Sequence, residues 1–347
     1  MMFQTFYIYK IITESCTIKS FYLKPKDEQK LEDEQKLEAY FPGQFISLKL
    51  ELDNNETITR NYTVSNSPNP EYYRLTIKRE DLGKSSRHLH DTLKEGSEIE
   101  LSEPMGDFHL DVNSNKPVVL LSGGVGITPM MSILEYINKN QPDRKANFIH
   151  SSLNKNVQPF LNQLKEIEVS NANLTLNIFH SHPVENEAIG KDCDYTGFVT
   201  KNKLAETLTD KPTYFLCGPV PFMEAMYNYL EDLGVAPEDI KYEFFGEGTT
   251  LGSKPVFTDS SSDAFEIKFT NSDKTANWKA DTLSLLDLAE ANGLIPPNSC
   301  RMGTCSTCET ALLSGTIEYD PEPFMEASEG KIFICCAKPT SNVSLEI

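Results

Sequence analysis

The 347-residue chain lacks any long apolar run. None of its segments approaches the roughly 20 consecutive apolar residues that a membrane-spanning helix needs. The opening residues, MMFQTFYIYKIITES, also lack a basic segment, an uninterrupted apolar stretch and a small-residue cleavage site. We therefore expect no secretory signal, no membrane partner and a cytoplasmic location. Hydrophobic residues at 39% and charged residues at 24% predict a soluble globular protein with a substantial core.

Basic residues are scarce, because 32 Lys and Arg stand against 51 Asp and Glu and give a net charge of −19. Such a field repels nucleic acid as well as anionic lipid, so neither is an expected partner. The charge is compatible with docking to a basic patch on a partner protein, although it also serves solubility alone. Residues 260–347 carry 13 acidic and 6 basic residues, a net charge of −7, which predicts an acidic docking face.

The spacing of strands, helices and turn residues divides the chain into three domains. Residues 1–112 contain short alternating strands between Pro, Gly and Asn turns, which predicts an antiparallel β-barrel. Residues 113–246 alternate strands with helices, which predicts a parallel sheet covered by helices on both faces. Residues 247–262 are rich in Gly, Ser, Thr and Pro and are typical of a linker. Residues 263–347 begin with two strands and a helix and continue into a cysteine-rich loop.

Five of the eight cysteines lie in the last 48 residues. The segment CRMGTCSTC places Cys300, Cys305 and Cys308 at C-x4-C-x2-C, the spacing of plant-type [2Fe–2S] clusters. A zinc site would favour two C-x2-C pairs or added histidines, and the segment contains neither. Further downstream, Cys335 and Cys336 are adjacent, and the spacing alone leaves both open as the fourth ligand.

A glycine-rich turn, GGVGITP at 123–129, follows a buried strand and opens a helix. Glycines let the backbone approach a diphosphate, and the N-terminus of the helix favours its negative charge. The turn does not fit the G-x-G-x-x-G fingerprint of plain dinucleotide-binding folds. A second short motif, Cys217-Gly218-Pro219, follows a later strand.

These motifs in this order resemble the ferredoxin–NADP reductase superfamily. The first 246 residues look most like the reductase module of flavohaemoglobins, on the stretches SFYLKP, IKRE, GVGITPM, CGPVPFM and YEFFG. The last domain resembles plant-type ferredoxins, on C-R-x-G-x-C-x-x-C and on the C-x-A-x-P-T-S-x-V pattern at 335–343. The resemblance implies a six-stranded flavin-binding barrel, an α/β nucleotide-binding domain and an α+β ferredoxin domain of the β-grasp type. It also assigns Cys335 as the fourth cluster ligand.

The resemblance further implies an FAD site around the motif R-x-Y-[ST], here Arg60 to Thr63. Arg60 would pair with a flavin phosphate, Tyr62 would line the isoalloxazine ring, and Thr63 would hydrogen-bond near its N5 atom. The EPMGDF segment resembles the version found in FAD-binding relatives, so FAD is favoured over FMN. The implied FAD residues are Arg60, Tyr62, Thr63, Lys78, Gly83, Lys84, Ser85, Ser86 and Phe245.

The nicotinamide nucleotide is implied to lie on the two glycine motifs, with Cys217 shaping the pocket near the nicotinamide. Relatives specific for NADP often place an arginine after the second strand, and this chain has only Lys155 there. We therefore expect NADH, with NADPH as the alternative. The implied nucleotide residues are Gly123, Gly124, Gly126, Thr128, Pro129, Cys217, Gly218 and Pro219.

The function that follows is an NADH-dependent reductase that passes electrons through FAD and the [2Fe–2S] cluster to a partner oxygenase of the Rieske or di-iron type. We expect no side chain to act as a catalytic acid, base or nucleophile. The alternatives are a reductase of a hybrid-cluster or other stress-related metalloprotein, and a redox carrier or sensor without hydride chemistry. We expect a monomer. His180 and His182 alternate on a strand, but no third ligand is apparent in the sequence, so no metal site is predicted there.

Overall fold

The computed structural model forms two compact units, Met1–Phe244 and Phe245–Ile347. Apart from residue 251, the predicted linker at 247–262 lies outside the described residues, as do Cys300 and Cys305. The structure describes residues 3–26, 37, 39–52, 57–81, 83–208, 211–245, 251, 265–279, 282, 284–294, 296–297, 308–320, 323 and 327–347.

The first unit begins with a six-stranded antiparallel sheet in the order β4-β3-β6-β1-β2-β5. An antiparallel bridge between Val64, just past β4, and Leu75 of β5 brings the two edge strands together and closes the barrel. One helix, α1, follows β5. The elements are β1 Phe3–Thr13, β2 Ile18–Pro25, β3 Phe45–Glu51, β4 Thr57–Thr63, β5 Tyr73–Lys78, α1 Lys84–Asp91 and β6 Glu98–Ser102.

The second half of this unit is a six-stranded parallel sheet in the order β10-β9-β8-β7-β11-β12. The order of the strands reverses at β7, since β8 to β10 extend to one side of it and β11 and β12 to the other. The strands are β7 Val118–Gly123, β8 Ala146–Ser152, β9 Leu174–His180, β10 Tyr195–Thr196, β11 Thr213–Cys217 and β12 Ile240–Glu243. The helices are α2 Ile127–Asn140, α3 Leu161–Ser170, α4 Lys201–Ala205 and α5 Val220–Asp232.

Strand β7 is buried along its whole length, as expected for the central strand of a parallel sheet. Its alternate residues Val118 and Leu120 join one core with the apolar faces of α2 and α3. Val119 and Leu121 are also buried and point to the opposite face, because successive side chains of a strand alternate. Both faces of the sheet are therefore covered, which confirms the predicted α/β arrangement.

The described part of the second unit contains a five-stranded sheet in the order β14-β13-β19-β15-β17, a two-stranded sheet of β16 and β18, and one helix. Ser284 caps that helix, α6, by accepting a hydrogen bond from the Asp287 amide at 3.2 Å, and Gly293 follows its end at φ +72°. The elements are β13 Glu266–Phe269, β14 Lys274–Asn277, α6 Leu285–Ala291, β15 Glu309–Ser314, β16 Ile317–Tyr319, β17 Lys331–Phe333, β18 Ala337–Pro339 and β19 Val343–Leu345. None of the described helices has both the length and the apolarity needed to cross a bilayer.

Candidate functional site

The predicted flavin motif lies on β4 and reaches α1 through one hydrogen bond. Tyr62 Oη and Ser85 Oγ, the latter in the first turn of α1, are 2.8 Å apart. Burial raises the pKa of the Tyr62 hydroxyl, so this group stays protonated at neutral pH. The Arg60 guanidinium donates to the Thr59 carbonyl at 2.7 Å, and it forms no ion pair within the described part of the chain. The motif therefore presents a cation beside a fixed phenol.

Thr63, at the end of β4, carries a buried hydroxyl that has no hydrogen-bond partner in the structure. A buried hydroxyl without a partner is destabilising by about 1–3 kcal/mol. Its side chain is only 4% exposed, so solvent does not readily supply the missing partner. An atom of a bound flavin that accepts or donates a hydrogen bond at this position would satisfy it.

The N-terminus of α1 is the second part of the predicted FAD site. Gly83 precedes the helix, and no side chain caps the first turn, which also contains no acidic residue. Its amide groups and positive dipole end suit a pyrophosphate. A Cβ at Gly83 would lie 2.5 Å from Ser86 Oγ, so a larger residue there would displace the Ser86 side chain. Lys78 lies nearby in sequence but pairs with Glu80 at 2.7 Å on the surface.

The two glycine motifs of the nucleotide-binding half meet at the carboxyl edge of the parallel sheet. Ser122 of β7 and Cys217 of β11 are paired in register, so the turns that follow them are adjacent. A Cβ at Gly126 would lie 2.4 Å from the Cys217 carbonyl oxygen. A Cβ at Gly218 would lie 2.9 Å from the Gly123 amide nitrogen. Only glycine allows this approach, which links the two motifs into one surface.

Two helix N-termini open onto this edge of the sheet. Helix α2 begins after Gly126, and α5 begins after Pro219. Neither has a side-chain cap or an acidic residue in its first turn, so both leave amide donors for an anion. The Thr128 hydroxyl donates to the Val125 carbonyl at 3.2 Å and holds the turn, while Pro129 lies buried within the first turn of α2. Gly124 adopts φ +53°, which glycine accommodates without strain.

Buried hydrogen bonds connect the barrel to helix α2. Past β4, the Asn66 carbonyl accepts from Ser132 Oγ of α2 at 2.7 Å. Arg74 of β5 is 3% exposed and pairs with Glu135 of α2 at 2.8 Å. The second oxygen of Glu135 accepts from the Ser67 amide at 2.8 Å. These contacts fix the barrel against the helix that starts at the glycine turn.

Glu243, at the end of β12, is a candidate site residue that the sequence analysis missed. It is paired in register with Cys217 on β11. One of its carboxylate oxygens is buried without a partner, and burial raises the pKa of this carboxyl to about 8. Burial, with the nearby Glu243, also raises the pKa of the Cys217 thiol, which therefore stays protonated. An acidic residue inside the aromatic run YEFF was the signal that could have identified it.

Replacement of Glu243 by glutamine should alter how stability depends on pH. Between about pH 4.5 and pH 8 the folded protein holds a proton that the unfolded chain has released, so the free energy of unfolding falls as pH rises. Glutamine does not titrate, so Glu243→Gln should gain stability over the wild type across this window, by at most about 5 kcal/mol. Urea unfolding at pH 5 and pH 8, monitored by the release of flavin, measures the free energy of unfolding of both proteins. A stability difference between wild type and variant that is the same at both pH values would contradict this interpretation.

In the second unit, three of the predicted cluster cysteines are described and all are buried. Cys308 directly precedes β15, and Cys335 and Cys336 lie between β17 and β18. The Cys336 thiol is fully buried and donates to the Phe333 carbonyl at 3.5 Å. Cys335 remains 7% exposed. Cys335 stays the predicted fourth ligand, with Cys336 as the alternative.

Phe245, predicted to cover the flavin, is the first residue of the second unit and is 42% exposed. It follows directly on Phe244, which is buried at 8% exposure. The chain thus changes at this point from a buried aromatic side chain to an exposed one. Its role over the flavin stays a prediction.

Comparison with known families covers all three parts of the chain. Residues 15–110 match the oxidoreductase FAD-binding domain, and residues 120–228 match the oxidoreductase NAD-binding domain. Residues 267–340 match the 2Fe-2S iron-sulfur cluster binding domain. The chain thus contains oxidoreductase FAD-binding and NAD-binding domains and a [2Fe–2S]-binding domain, in the order that the sequence analysis predicted.

The proteins that this chain is similar to fall into two groups. The flavohemoprotein of Bacillus thuringiensis subsp. konkukian is 38% identical over 257 residues, which are 72% of this chain and 62% of the relative. The chain thus spans less than two thirds of that relative. The flavohem-like FAD/NAD-binding domain of nitric oxide dioxygenase from Vibrio cholerae O1 biovar El Tor is 28% identical, with a TM-score of 0.61 over 70% of this chain and 98% of that one.

Phthalate dioxygenase reductase represents the second group. Its structure covers 99% of this chain and 98% of its own length, with a TM-score of 0.61. The sequence identity is 22%, so this likeness establishes a shared fold. It extends through the ferredoxin domain, which the flavohemoprotein matches do not reach.

Proposed function

We propose that this chain is an NADH-dependent reductase that delivers electrons through FAD and a [2Fe–2S] cluster to a partner oxygenase of the Rieske or di-iron type. The domain order carries the proposal, because phthalate dioxygenase reductase shares it along 98% of its length. That protein transfers electrons from pyridine nucleotides to [2Fe–2S]. We place the domains at residues 1–112, 113–246 and 263–347, with the linker at 247–262.

The described residues suit the proposed cofactors. When bound, FAD accepts a hydride from NADH and releases its electrons singly to the cluster. Arg60 and the open N-terminus of α1 would hold the anionic part of FAD, and Tyr62 would line the ring. The unpartnered Thr63 hydroxyl is the observation that favours a flavin at the end of β4. The adjoining glycine turns would hold the diphosphate of NADH beside it.

Replacement of Thr63 by valine should separate stability from activity. Valine has nearly the same shape and removes only the unpartnered hydroxyl, so the flavin-free protein should keep its stability or gain slightly. Loss of the hydrogen bond to the flavin should slow its reduction by NADH by about tenfold or more, since one positioned hydrogen bond contributes about 1.4 kcal/mol or more. Thermal unfolding of the flavin-free protein and rapid mixing of the holoprotein with NADH measure the two effects. An unchanged reduction rate would remove Thr63 from the site.

The surroundings of Lys155 support NADH over NADPH. Its ammonium group donates to the Asn186 carbonyl at 2.7 Å and lies 3.6 Å from an Asp192 carboxylate oxygen. Lys155 is therefore already engaged, and Asp192 would repel a 2′-phosphate. We expect kcat/KM for NADH to exceed that for NADPH by at least about tenfold, a difference of about 1.4 kcal/mol. Steady-state ferricyanide reduction with each coenzyme measures the ratio, and equal values would contradict the proposal.

Electron delivery to an isolated Rieske oxygenase component tests the proposed acceptor. We expect NADH-dependent reduction of the Rieske centre that weakens at high salt, because the ferredoxin domain carries an excess of acidic residues. Ferricyanide reduction by the same preparation is the control for an intact flavin site. Full ferricyanide activity without any reduction of Rieske or di-iron oxygenase components would assign the chain to another class of acceptor.

A further inference from the structure

Three side chains of metal-ligand type converge at the carboxyl end of β9, which lies two strands from β7 in the sheet. They are His180, the last residue of the strand, and Glu187 and Cys193 from the segment that follows. One ligand atom of each lies within 4.8 Å of the other two. The sequence analysis predicted no metal here because no third ligand was apparent beside His180 and His182. In the structure, the segment after β9 brings Glu187 and Cys193 next to His180.

The loop between Glu187 and Cys193 brings its own ends together. The Gly190 amide donates to the Cys193 carbonyl at 2.6 Å, and the Asp192 amide donates to the Ala188 carbonyl at 2.8 Å. Gly190 adopts φ +82°, which the turn requires and glycine permits. A spacing of E-x5-C in this conformation thus places a carboxylate and a thiol side by side.

Backbone hydrogen bonds attach this loop to the strand that bears the histidine. The Asp194 amide donates to the Ile178 carbonyl at 2.9 Å, and the Asp194 carboxylate accepts from the Ile178 amide at 2.8 Å. Ile178 lies two residues before His180 on β9, so Cys193 is held next to the end of the strand. The three side chains are therefore positioned by main-chain contacts on both sides.

The cluster is buried and has unused binding capacity. The side chains of His180 and Glu187 are 0% and 1% exposed, and Cys193 is 1% exposed. His180 Nδ1 contacts one Glu187 oxygen, and the other oxygen accepts from the Val184 amide at 2.9 Å. His180 Nε2 is buried without a hydrogen-bond partner. A buried carboxylate of this kind is stabilised by a cation that it can bind directly.

We propose that His180, Glu187 and Cys193 form a zinc-binding site. A nitrogen, an oxygen and a sulfur ligand together suit Zn²⁺, whereas Mg²⁺ and Ca²⁺ take oxygen ligands only. Tetrahedral zinc holds its ligand atoms roughly 3.3–3.8 Å apart, given bonds of about 2.0–2.3 Å. The side chains need only small rotations to reach that spacing from within 4.8 Å. On binding, the Cys193 thiol gives its proton to solvent, and the fourth position takes water.

The charge around the cluster favours a cation. Asp192 and Asp194 flank Cys193 on both sides along the chain. Lys155 pairs with Asp192 at 3.6 Å and lies outside the ligand set. Bound zinc would fasten the loop between Glu187 and Cys193 to the end of β9, so its role is structural. The proposal is independent of the electron acceptor.

Metal analysis of the full-length protein, with FAD and cluster in place, tests the site. The protein is incubated with one equivalent of Zn²⁺, desalted, and analysed for zinc and iron. We expect about one zinc per chain in the wild type, beside about two irons for the cluster. Cys193→Ser, which preserves the size of the side chain, should reduce bound zinc at least about tenfold, because metal sites lose most of their affinity with one ligand.

Two matched variants serve as controls. Cys16→Ser makes the same chemical change at an exposed cysteine, and His182→Ala removes the neighbouring histidine that lies outside the cluster. Both should bind zinc like the wild type. Glu187→Gln provides a second ligand variant if Cys193→Ser proves unstable. Zinc that stays equal in the wild type and both ligand variants, or a wild type that retains no zinc, would overturn the proposal. Zinc bound by the cluster cysteines would displace iron, so an iron content that is the same in all variants shows that the measured zinc is bound elsewhere.

Discussion

Gly126→Ala should lower the rate of flavin reduction by NADH about 100-fold, since displacement of a binding loop by about 1 Å can have an effect of this size. The new Cβ would lie 2.4 Å from the Cys217 carbonyl oxygen and 2.7 Å from the Gly218 amide nitrogen. Both are backbone atoms, so the two nucleotide motifs must move apart. The predicted flavin residues of the motif and of the helix N-terminus lie on β4 and α1, so FAD content should stay at the wild-type level. Rapid mixing with NADH and the absorbance spectrum of the purified protein measure both quantities.

A second glycine variant provides the control for this prediction. Gly234 follows α5 at φ +79°, and a Cβ there would have no neighbour within 4 Å. Gly234→Ala therefore introduces backbone strain without a steric clash at the nucleotide motifs, and NADH-driven reduction should stay within about twofold of the wild type. Gly126→Ala and Gly234→Ala with equal rates would show that the contact between the two motifs is not needed.

Cys335→Ser should abolish the [2Fe–2S] cluster, whereas the same change at the adjacent Cys336 should leave it intact. The Cys336 thiol is fully buried and donates to the Phe333 carbonyl, a bond that a serine hydroxyl can also form. Cys335 is less buried and follows the ferredoxin pattern of the fourth ligand. Loss of one thiolate ligand removes the cluster from most sites of this type. The visible and EPR spectra of the two variants measure the outcome.

Activity assays distinguish loss of the cluster from loss of the whole protein. Cys335→Ser should retain NADH–ferricyanide activity, because the flavin reduces ferricyanide directly, while reduction of a protein acceptor falls at least about 100-fold. Cys336→Ser should retain both activities. A cluster that survives in Cys335→Ser and is lost in Cys336→Ser would show that Cys336, and not Cys335, is the fourth ligand.

The fold was predictable because its strands and helices carry strong local signals. The continuous apolar run PVVLLS, which precedes the glycine-rich turn, forms β7. Gly234 and Gly293 follow α5 and α6, and glycine at this place is a common helix stop signal. The opening segment Phe3–Thr13 forms β1, in which alternate side chains such as Phe6 and Ile8 are buried. The segment TGFVT at 196–200 favours a strand by its composition, but β10 ends at Thr196 and Thr200 caps α4.

Candidate site residues could be named from the sequence only where they lie close together in it. The flavin and glycine motifs are short segments, so their members could be named before the fold was known. Glu243 is a candidate site residue because it pairs with Cys217 on a neighbouring strand. Glu187 and Cys193 are candidate ligands because the loop between them brings its ends together. Spacing alone does not report such contacts, because they depend on sheet order and on the conformation of a turn.

Anaerobic rapid mixing of the holoprotein with NADH tests the central claim most directly. The account predicts that the flavin absorbance bleaches first and that the reduced-cluster EPR signal follows within the same reaction. Cys335→Ser should bleach its flavin without the second phase. A flavin that stays oxidised with NADH, yet bleaches with dithionite, would contradict the assignment of this chain as a reductase.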